Sequence, residues 1–187
     1  MPEQALDRAV EMFWADGFEG VDVARIARSV GVTKPSLYRL FGDKSSLFLH
    51  ALRRYGDTIG AAPLAAFNAQ PNIADAVRAL LEETVNAATT KGRARGCLIA
   101  CVASVQAERS EEIRVAVARG LASLTEIVKR RFDDEARSGH LSASPLAETR
   151  SHMLVDVMQG LMLRARAGAS RSDLLRNAQD YVHIIVK

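Results

Sequence analysis

The sequence has only two cysteines, no long apolar run and no signal-peptide pattern. Cys97 and Cys101 are too few for a disulfide framework among 187 residues, and they fit a reducing compartment better than secretion. No apolar stretch approaches the roughly 20 residues that cross a bilayer. The start, Met1–Gln4, lacks the basic and apolar stretches of a signal peptide. We therefore expect a cytoplasmic protein with no membrane partner.

Motifs for catalysis and metal binding are also missing. Cys97 and Cys101 fall on one helical face but have no neighbouring ligand to complete a metal set, so buried small apolar side chains are favoured over metal binding or thiol sensing. The sequence contains no Gly-x-Ser-x-Gly, no phosphate-binding glycine loop and no paired carboxylates on a recognisable scaffold. The histidines are scattered without ligand spacing: His50, His140, His152 and His183. We expect no enzyme activity, no metal and no cofactor.

Charge is distributed unevenly along the chain. The net charge of the whole protein is +3, whereas residues 21–54 carry seven basic and two acidic side chains, a net +5. A local basic surface on a nearly neutral protein favours a polyanionic partner for that segment. An ordinary solvated charged face is the alternative that charge alone leaves open.

Apolar residues recur at helical spacing nearly throughout, and no strand pattern alternates convincingly. The spacing predicts an all-α protein of about nine helices. It places Ile59 inside the fourth helix, makes residues 63–72 a connection, and predicts a short, largely buried helix over 97–107. Pro145 is expected to begin a helix, and Ser170 or Ser172 to cap the last one.

Residues 22–41 have the pattern of a helix-turn-helix. Asp22 and Thr33 are suited to cap two short helices, and Gly31 to supply the turn between them. The small side chain of Ala27, four residues before Gly31, allows the helices to cross closely. An ordinary helical hairpin is the alternative for this spacing alone.

The surrounding residues extend the pattern at fixed spacing. They are Phe13, Gly17-Phe18, Val23, Ile26-Ala27, Gly31-Val32, Leu37-Tyr38, Phe41, Lys44 and Leu47-Phe48. Over residues 5–52 the chain closely resembles the DNA-binding domain of the tetracycline-repressor (TetR/AcrR) family of transcriptional regulators. The resemblance implies a helix-turn-helix domain at 1–46 and a larger helical domain for effector binding and dimerisation at 47–187. Leu40 departs from the His or Tyr common in the family, which puts one DNA contact in doubt.

The second helix of such a pair lies in the major groove, with its first turn facing the base edges. Lys34 is the candidate for bonding to guanine, and Pro35 for packing on a thymine methyl group. The resemblance implies phosphate contacts from Tyr38 and Lys44. The full set of expected DNA-binding residues is Arg25, Arg28, Thr33, Lys34, Pro35, Ser36, Tyr38, Arg39 and Lys44.

The rest of the chain is expected to dimerise and to bind a small effector. One recognition helix reads few base pairs, so a homodimer on a near-palindromic operator is expected. The predicted interface residues are Gly160, Leu161, Met162, Tyr181 and Ile185. The family resemblance implies an effector pocket, with Tyr55, Phe67, Cys97, Cys101, Met153 and Met158 as candidate lining residues, although plain core is the common role for such side chains.

The function expected from these observations is a ligand-responsive regulator, most often a repressor, that an effector releases from double-stranded DNA. The alternative is a helical small-molecule-binding or interaction protein without a DNA-regulatory role. The net +5 of residues 21–54 and the presence of Tyr38 and Lys44 favour the regulator.

Overall fold

The computed structural model describes residues 2–187; Met1, the first residue of the predicted DNA-binding domain, lies outside that range. Ten α-helices and no strand are found among the described residues. The helices are α1 (Pro2–Gly20), α2 (Val23–Ser29), α3 (Lys34–Phe41), α4 (Lys44–Asp57), α5 (Ala62–Asn68), α6 (Ile73–Thr89), α7 (Ser104–Gln106), α8 (Glu111–Arg137), α9 (Ala147–Arg166) and α10 (Arg171–Ile185). The predicted all-α class is confirmed.

An aromatic cluster holds α1 against α4. The Phe13 ring is fully buried and meets Phe48 edge to face, with 4.9 Å between ring centres. The Phe18 ring also packs on Phe48, with 5.2 Å between ring centres. Gly17 separates Phe13 from Phe18 and breaks the helical geometry of α1, with φ 75° and ψ 172°. Only glycine adopts such a backbone conformation without strain, and the break turns Phe18 back onto the cluster.

The turn between α2 and α3 is a Schellman motif. The amide of Val32 donates to the carbonyl of Ala27 at 3.0 Å, and the amide of Gly31 donates to Arg28 at 3.2 Å. Gly31 has φ 72°, and Ala27 is buried at the crossing of the two helices. Asp22 and Thr33 accept hydrogen bonds from the first turns of α2 and α3, as their N-cap positions predict.

The region after α4 differs from the prediction. Helix α4 ends at Asp57, a short 3₁₀ turn covers Ile59–Ala61, and α5 forms where a connection was expected. Pro63 occupies the first turn of α5, where its missing N–H has no cost, and Phe67 is completely buried. This seven-residue helix brings the total to ten, one more than predicted. It is too short to show a clear apolar periodicity in the sequence, and burial of Phe67 stabilises it.

Helices α6, α8, α9 and α10 form the larger C-terminal bundle with α5. The apolar face of α6 is buried from Ile73 to Ala88, and it packs against α5, α9 and α10. In α8 only the two ends contribute fully buried apolar side chains, Ile113 near the start and Val128 and Phe132 near the end. No helix within residues 2–187 combines the length and apolar character needed to cross a membrane.

The short helix predicted over 97–107 contains a π-helical turn, Ile99–Ala103, which runs directly into α7. The expectation that it is buried on most sides was wrong for its C-terminal end. Ser104 is exposed and Val105 is 64% exposed, because no element covers this side of the turn in the single chain.

Candidate DNA-binding surface and effector region

The first turn of α3 projects from the N-terminal domain. Leu37 and Phe41 face inward and are buried, whereas Lys34, Pro35 and Tyr38 on the opposite side are exposed. The amide of Ser36 donates to the Thr33 hydroxyl oxygen at 3.3 Å, which fixes the start of the helix. This arrangement leaves the polar side of α3 accessible to a duplex.

The exposed side chains of α3 also order one another. The ammonium group of Lys34 lies 5.5 Å from the centre of the Tyr38 ring, at cation–π distance. One guanidinium nitrogen of Arg39 donates to the Ser36 hydroxyl at 3.2 Å, and that hydroxyl lies 2.9 Å from the Thr33 hydroxyl. These residues therefore form one continuous surface with several hydrogen-bond donors.

Two of the basic residues in the 21–54 segment are paired with acids of α1. Arg25 contacts Asp16 at 3.0 Å, and Arg54 makes a two-pronged contact with Asp7, its shorter distance being 2.8 Å. Among the ion pairs of residues 2–187, none involves Arg28, Lys34, Arg39 or Lys44. These four residues, three on the helix-turn-helix and one at the start of α4, therefore have no acidic partner within the described part of the chain and can meet a polyanion.

Lys44 lies at the first position of α4, beside the N-cap Asp43. The Asp43 carboxylate accepts the amide of Ser46 at 2.8 Å, and this hydrogen bond holds the pKa of Asp43 below its ordinary value of 3.8. The partly exposed Lys44 side chain is close to the positive end of the α4 dipole, where an anionic group is favoured.

The effector candidates are only partly brought together. The Tyr55 hydroxyl donates to the Cys97 sulfur at 3.3 Å in the interior, and burial raises the pKa of both groups. Cys101 lies one turn further along the same helix, 4.0 Å from the carbonyl oxygen of Met162. Phe67 on α5 and the α9 pair Met153 and Met158 lie on separate elements.

Two surface cavities lie elsewhere, and neither is lined by an effector candidate. One of about 280 Å³ lies between the π-turn, α8 and α9, with an almost wholly apolar lining: Ile99, Ala100, Ser104, Val117, Leu121, Gln159, Gly160 and Leu163. The other, about 460 Å³, lies beside the α8–α9 connection and reaches the buried Arg150.

Three of the predicted interface residues require correction. Leu161, Met162 and Ile185 are buried within the single chain, so they complete its own core and present little surface to a partner. Tyr181 is partly exposed, and an added Cβ at Gly160 would meet no atom within 4 Å. The exposed apolar residues of these helices are instead Leu163 and Ile184, at 59% and 57%. Residues 161–163 are all apolar, so the sequence does not indicate which of them points outward.

Two arginines that donate to backbone carbonyls had no signal in the sequence, and one of them, Arg166, joins the two domains. Arg166 at the end of α9 donates to the carbonyl oxygen of Trp14 at 3.0 Å and to that of Ala15 at 3.4 Å. Arg95 donates to Ala165 at 2.8 Å. Backbone carbonyls leave no mark in a sequence, so residue spacing gave no signal for either contact.

Comparison with known proteins agrees with this architecture. Residues 5–51 match the model for bacterial regulatory proteins of the TetR family. Residues 73–180 match the C-terminal domain of LmrA/YxaF-like transcriptional regulators.

Individual relatives extend over the chain to different degrees. The HTH-type transcriptional repressor BdcR of Escherichia coli K12 is 30% identical over 178 residues, covering 95% of this chain and 85% of BdcR. The uncharacterized HTH-type transcriptional regulator YezE of Bacillus subtilis 168 is 34% identical over 94 residues, covering 50% of this chain and 48% of YezE.

A solved structure gives the same result in three dimensions. A cysteine mutant of the TetR-family regulator CifR, in complex with 26-base-pair operator DNA, superposes with a TM-score of 0.89 and 28% identity. The match covers 98% of this chain and 96% of that one. The chain therefore belongs to the TetR family of bacterial transcriptional regulators.

Proposed function

We propose that this protein is a dimeric, effector-responsive transcriptional repressor that binds double-stranded operator DNA. The observation that carries the proposal is the exposed N-terminal half of α3, where Lys34, Pro35 and Tyr38 project from a helix whose start is fixed by its Thr33 cap. A helix of this kind fits the major groove and presents donors to base edges. The proposed domains are 1–46 for DNA and 47–187 for effector and partner.

The proposed contacts divide into two kinds. Lys34 and Ser36 would read base edges, with Thr33 and Pro35 beside them. Positioning on the phosphates would come from side chains at the rim of this surface: Arg25, Arg28, Tyr38, Arg39 and Lys44. Arg25 would exchange its ion pair with Asp16 for a phosphate, and both members of that pair are exposed enough to permit the exchange.

Selection of bound duplexes from a random pool tests this function. We expect enrichment of a near-palindromic sequence, binding that weakens steeply with salt, and binding to the DNA upstream of the protein's own gene. Equal retention of heparin and of every duplex in the pool would overturn the proposal in favour of a helical interaction protein.

We propose that dimerisation uses the exposed side of α9 and α10. Gly160 and Leu163 are one turn apart on α9, and Tyr181 and Ile184 are one turn apart on α10, so each pair shares a helical face. The apolar cavity that includes Gly160 and Leu163 continues this face toward the π-turn. A second copy would cover these apolar side chains and would provide the second helix-turn-helix of the dimer.

The interface is tested by Leu163→Asp, with Leu146→Asp as the matched control. Both residues are exposed leucines, at 59% and 67%, but Leu146 lies at the opposite end of α9, outside the proposed face. In sedimentation experiments we expect Leu163→Asp to shift the protein toward monomer and Leu146→Asp to leave the dimer intact. A wild-type protein that stays monomeric at all concentrations would contradict the dimer.

We propose that the effector binds in the C-terminal domain among the six candidates around Tyr55 and Cys97. Four of these residues, Tyr55, Phe67, Cys97 and Met158, are buried. Entry of a ligand would therefore displace core side chains, and α4 would transmit the displacement to the helix-turn-helix. By linkage, DNA must weaken effector binding by the same factor that the effector weakens DNA binding.

Two further points belong to the proposal. We expect the protein to act through binding alone, since its relatives are transcriptional regulators. We also expect it to work in the cytoplasm, where bacterial DNA is accessible.

A further inference from the structure

Arg95 and Arg166 form a reciprocal clasp between three segments of the chain. The Arg95 guanidinium donates to the carbonyl oxygens of Ala165 and Ala169, at the end of α9 and just beyond it. The Arg166 guanidinium donates back to the Arg95 carbonyl at 3.3 Å and reaches α1 at Trp14, 3.0 Å away. The clasp therefore joins the connection after α6, the end of α9 and the last helical turn of α1.

The α1 acceptors of the clasp lie next to the break in that helix. The helical geometry of α1 is interrupted at Gly17, so the carbonyls of Trp14 and Ala15 lie in the last turn before the break. Helix ends also carry partial negative charge. The planar guanidinium group of Arg166, with donors on several sides, satisfies both carbonyls at once.

Arg166 joins the proposed dimer helix to the DNA-binding domain. It is the last residue of α9, three positions after Leu163 on the proposed dimer face. Its acceptors on α1 precede Gly17 by only two and three residues, and the chain then enters α2. Two ion pairs also link α1 to the C-terminal domain. Arg54 contacts Asp7 at 2.8 Å, at the other end of α1 from Gly17. Arg109 contacts Glu19 at 3.3 Å, but both side chains are about two-thirds exposed, so this pair contributes little.

Close packing fixes the clasp from both sides. Gly96 has φ +80°, and an added Cβ would lie 2.9 Å from the Cys101 sulfur and 3.0 Å from the Cβ of Arg166. On the α1 side, the Trp14 ring is buried and meets the Tyr55 ring edge to face at 5.2 Å. The clasp therefore lies beside the π-turn that contains Cys101, and Trp14 connects it to α4.

We propose that Arg166 is a positioning residue for operator binding. By holding the end of α1 against the end of α9, it sets the direction of each helix-turn-helix relative to the dimer face, and so the half-site separation that the dimer accepts. This inference rests on the proposed function, because it requires a dimer that reads two half-sites. Arg166 itself touches no DNA in this arrangement.

The test compares Arg166→Gln and Arg166→Lys with the control Arg164→Gln, an exposed arginine on the same turn of α9. The probes are the duplex selected with wild-type protein, the same duplex with its centre lengthened or shortened by single base pairs, and a single half-site. If selection returns no duplex, the proposed function has failed before Arg166 is examined.

We expect wild type and Arg164→Gln to prefer one separation strongly. Arg166→Gln should lose about tenfold in affinity at that separation, the loss expected for charge-assisted hydrogen bonds. It should lose less at the altered separations, so that the preference flattens, while half-site affinity stays within about threefold. Arg166→Lys keeps the positive charge but loses the planar guanidinium group, so its affinity and its preference for one separation should lie between those of wild type and Arg166→Gln.

The flattened preference is the decisive readout, since a merely structural role would lower affinity equally at every separation. An equal loss at all separations, or an unchanged profile in Arg166→Gln, overturns the proposal. Thermal unfolding is measured for each variant. If both Arg166 variants fail to fold, the clasp serves stability alone and the proposal is likewise overturned.

Discussion

The ammonium group of Lys44 lies 4.9 Å from the centre of the Phe18 ring and donates to the carbonyl oxygen of Glu19 at 3.4 Å. The first residue of α4 is thus attached to the segment that follows the Gly17 break in α1. A phosphate placed at the start of α4 would meet this charge together with the free amides of the helix. The contact keeps the lysine close to the proposed DNA surface before DNA arrives.

Substitution Lys44→Ala should weaken binding to all duplexes to a similar extent, because a phosphate contact carries no sequence information. The slope of log affinity against log salt should fall by about one unit. Fluorescence anisotropy over a salt series measures both quantities. Lys91→Ala, in the exposed loop after α6, is the control and should match wild type. An unchanged slope in Lys44→Ala would remove this residue from the phosphate contacts.

Substitution Lys34→Ala should change which base pairs are preferred. A lysine that donates to guanine contributes about 1–3 kcal/mol of discrimination at its position, and alanine cannot replace that bond. Repeating the duplex selection with the variant should relax one position in each half-site. Identical selected sequences for wild type and Lys34→Ala would refute a base-reading role.

The Asp43 cap makes stability depend on acidity. Because the folded-state pKa of Asp43 lies below the ordinary value of 3.8, its contribution is present above that pH and is lost as the pH falls through the folded pKa. Asp43→Asn keeps a capping side chain that does not titrate. Urea unfolding between about pH 6 and pH 3 should therefore show a larger acid loss in wild type than in the variant, and parallel losses would contradict this prediction.

The buried Arg150 should stabilise the C-terminal end of the bundle. Its guanidinium donates to the carbonyls of Pro145 at 3.0 Å and Ser144 at 3.1 Å, and also to Ile185 at the end of α10. Arg150→Met would remove the buried guanidinium that all three carbonyls share as a donor, and we expect a loss of about 3 kcal/mol in the free energy of unfolding. The exposed Arg137→Met should change it by less than about 0.5 kcal/mol. Equal losses would contradict the prediction.

The thiol of Cys97 should resist modification in the folded protein. Burial raises its pKa, and the thiolate is the reactive form. With iodoacetamide near pH 8, we expect Cys97 to react about an order of magnitude more slowly than the partly exposed Cys101, and both at similar rates in guanidinium. Mass spectrometry of the two positions gives the rates. Faster reaction at Cys97 would mean that this part of the interior opens readily.

Local signals were sufficient for much of the fold. Asp22 and Thr33 cap the helices that their side chains predict, because a cap is made within three residues of the chain. Gly31 likewise ends α2 through its own backbone freedom. Helix α5 and the end of α4 were wrong in the prediction, because burial of Phe67 decides that region and burial depends on distant elements.

The sequence by itself determined the helix-turn-helix, its caps and the side chains exposed on α3, because each follows from neighbours a few residues apart. Tertiary structure alone decided which of Leu161, Met162 and Leu163 points outward, since all three are equally apolar and only packing distinguishes them. It alone also brought Arg166 to the carbonyls of α1, more than 150 residues away, because a carbonyl oxygen belongs to every residue and has no signature in the sequence.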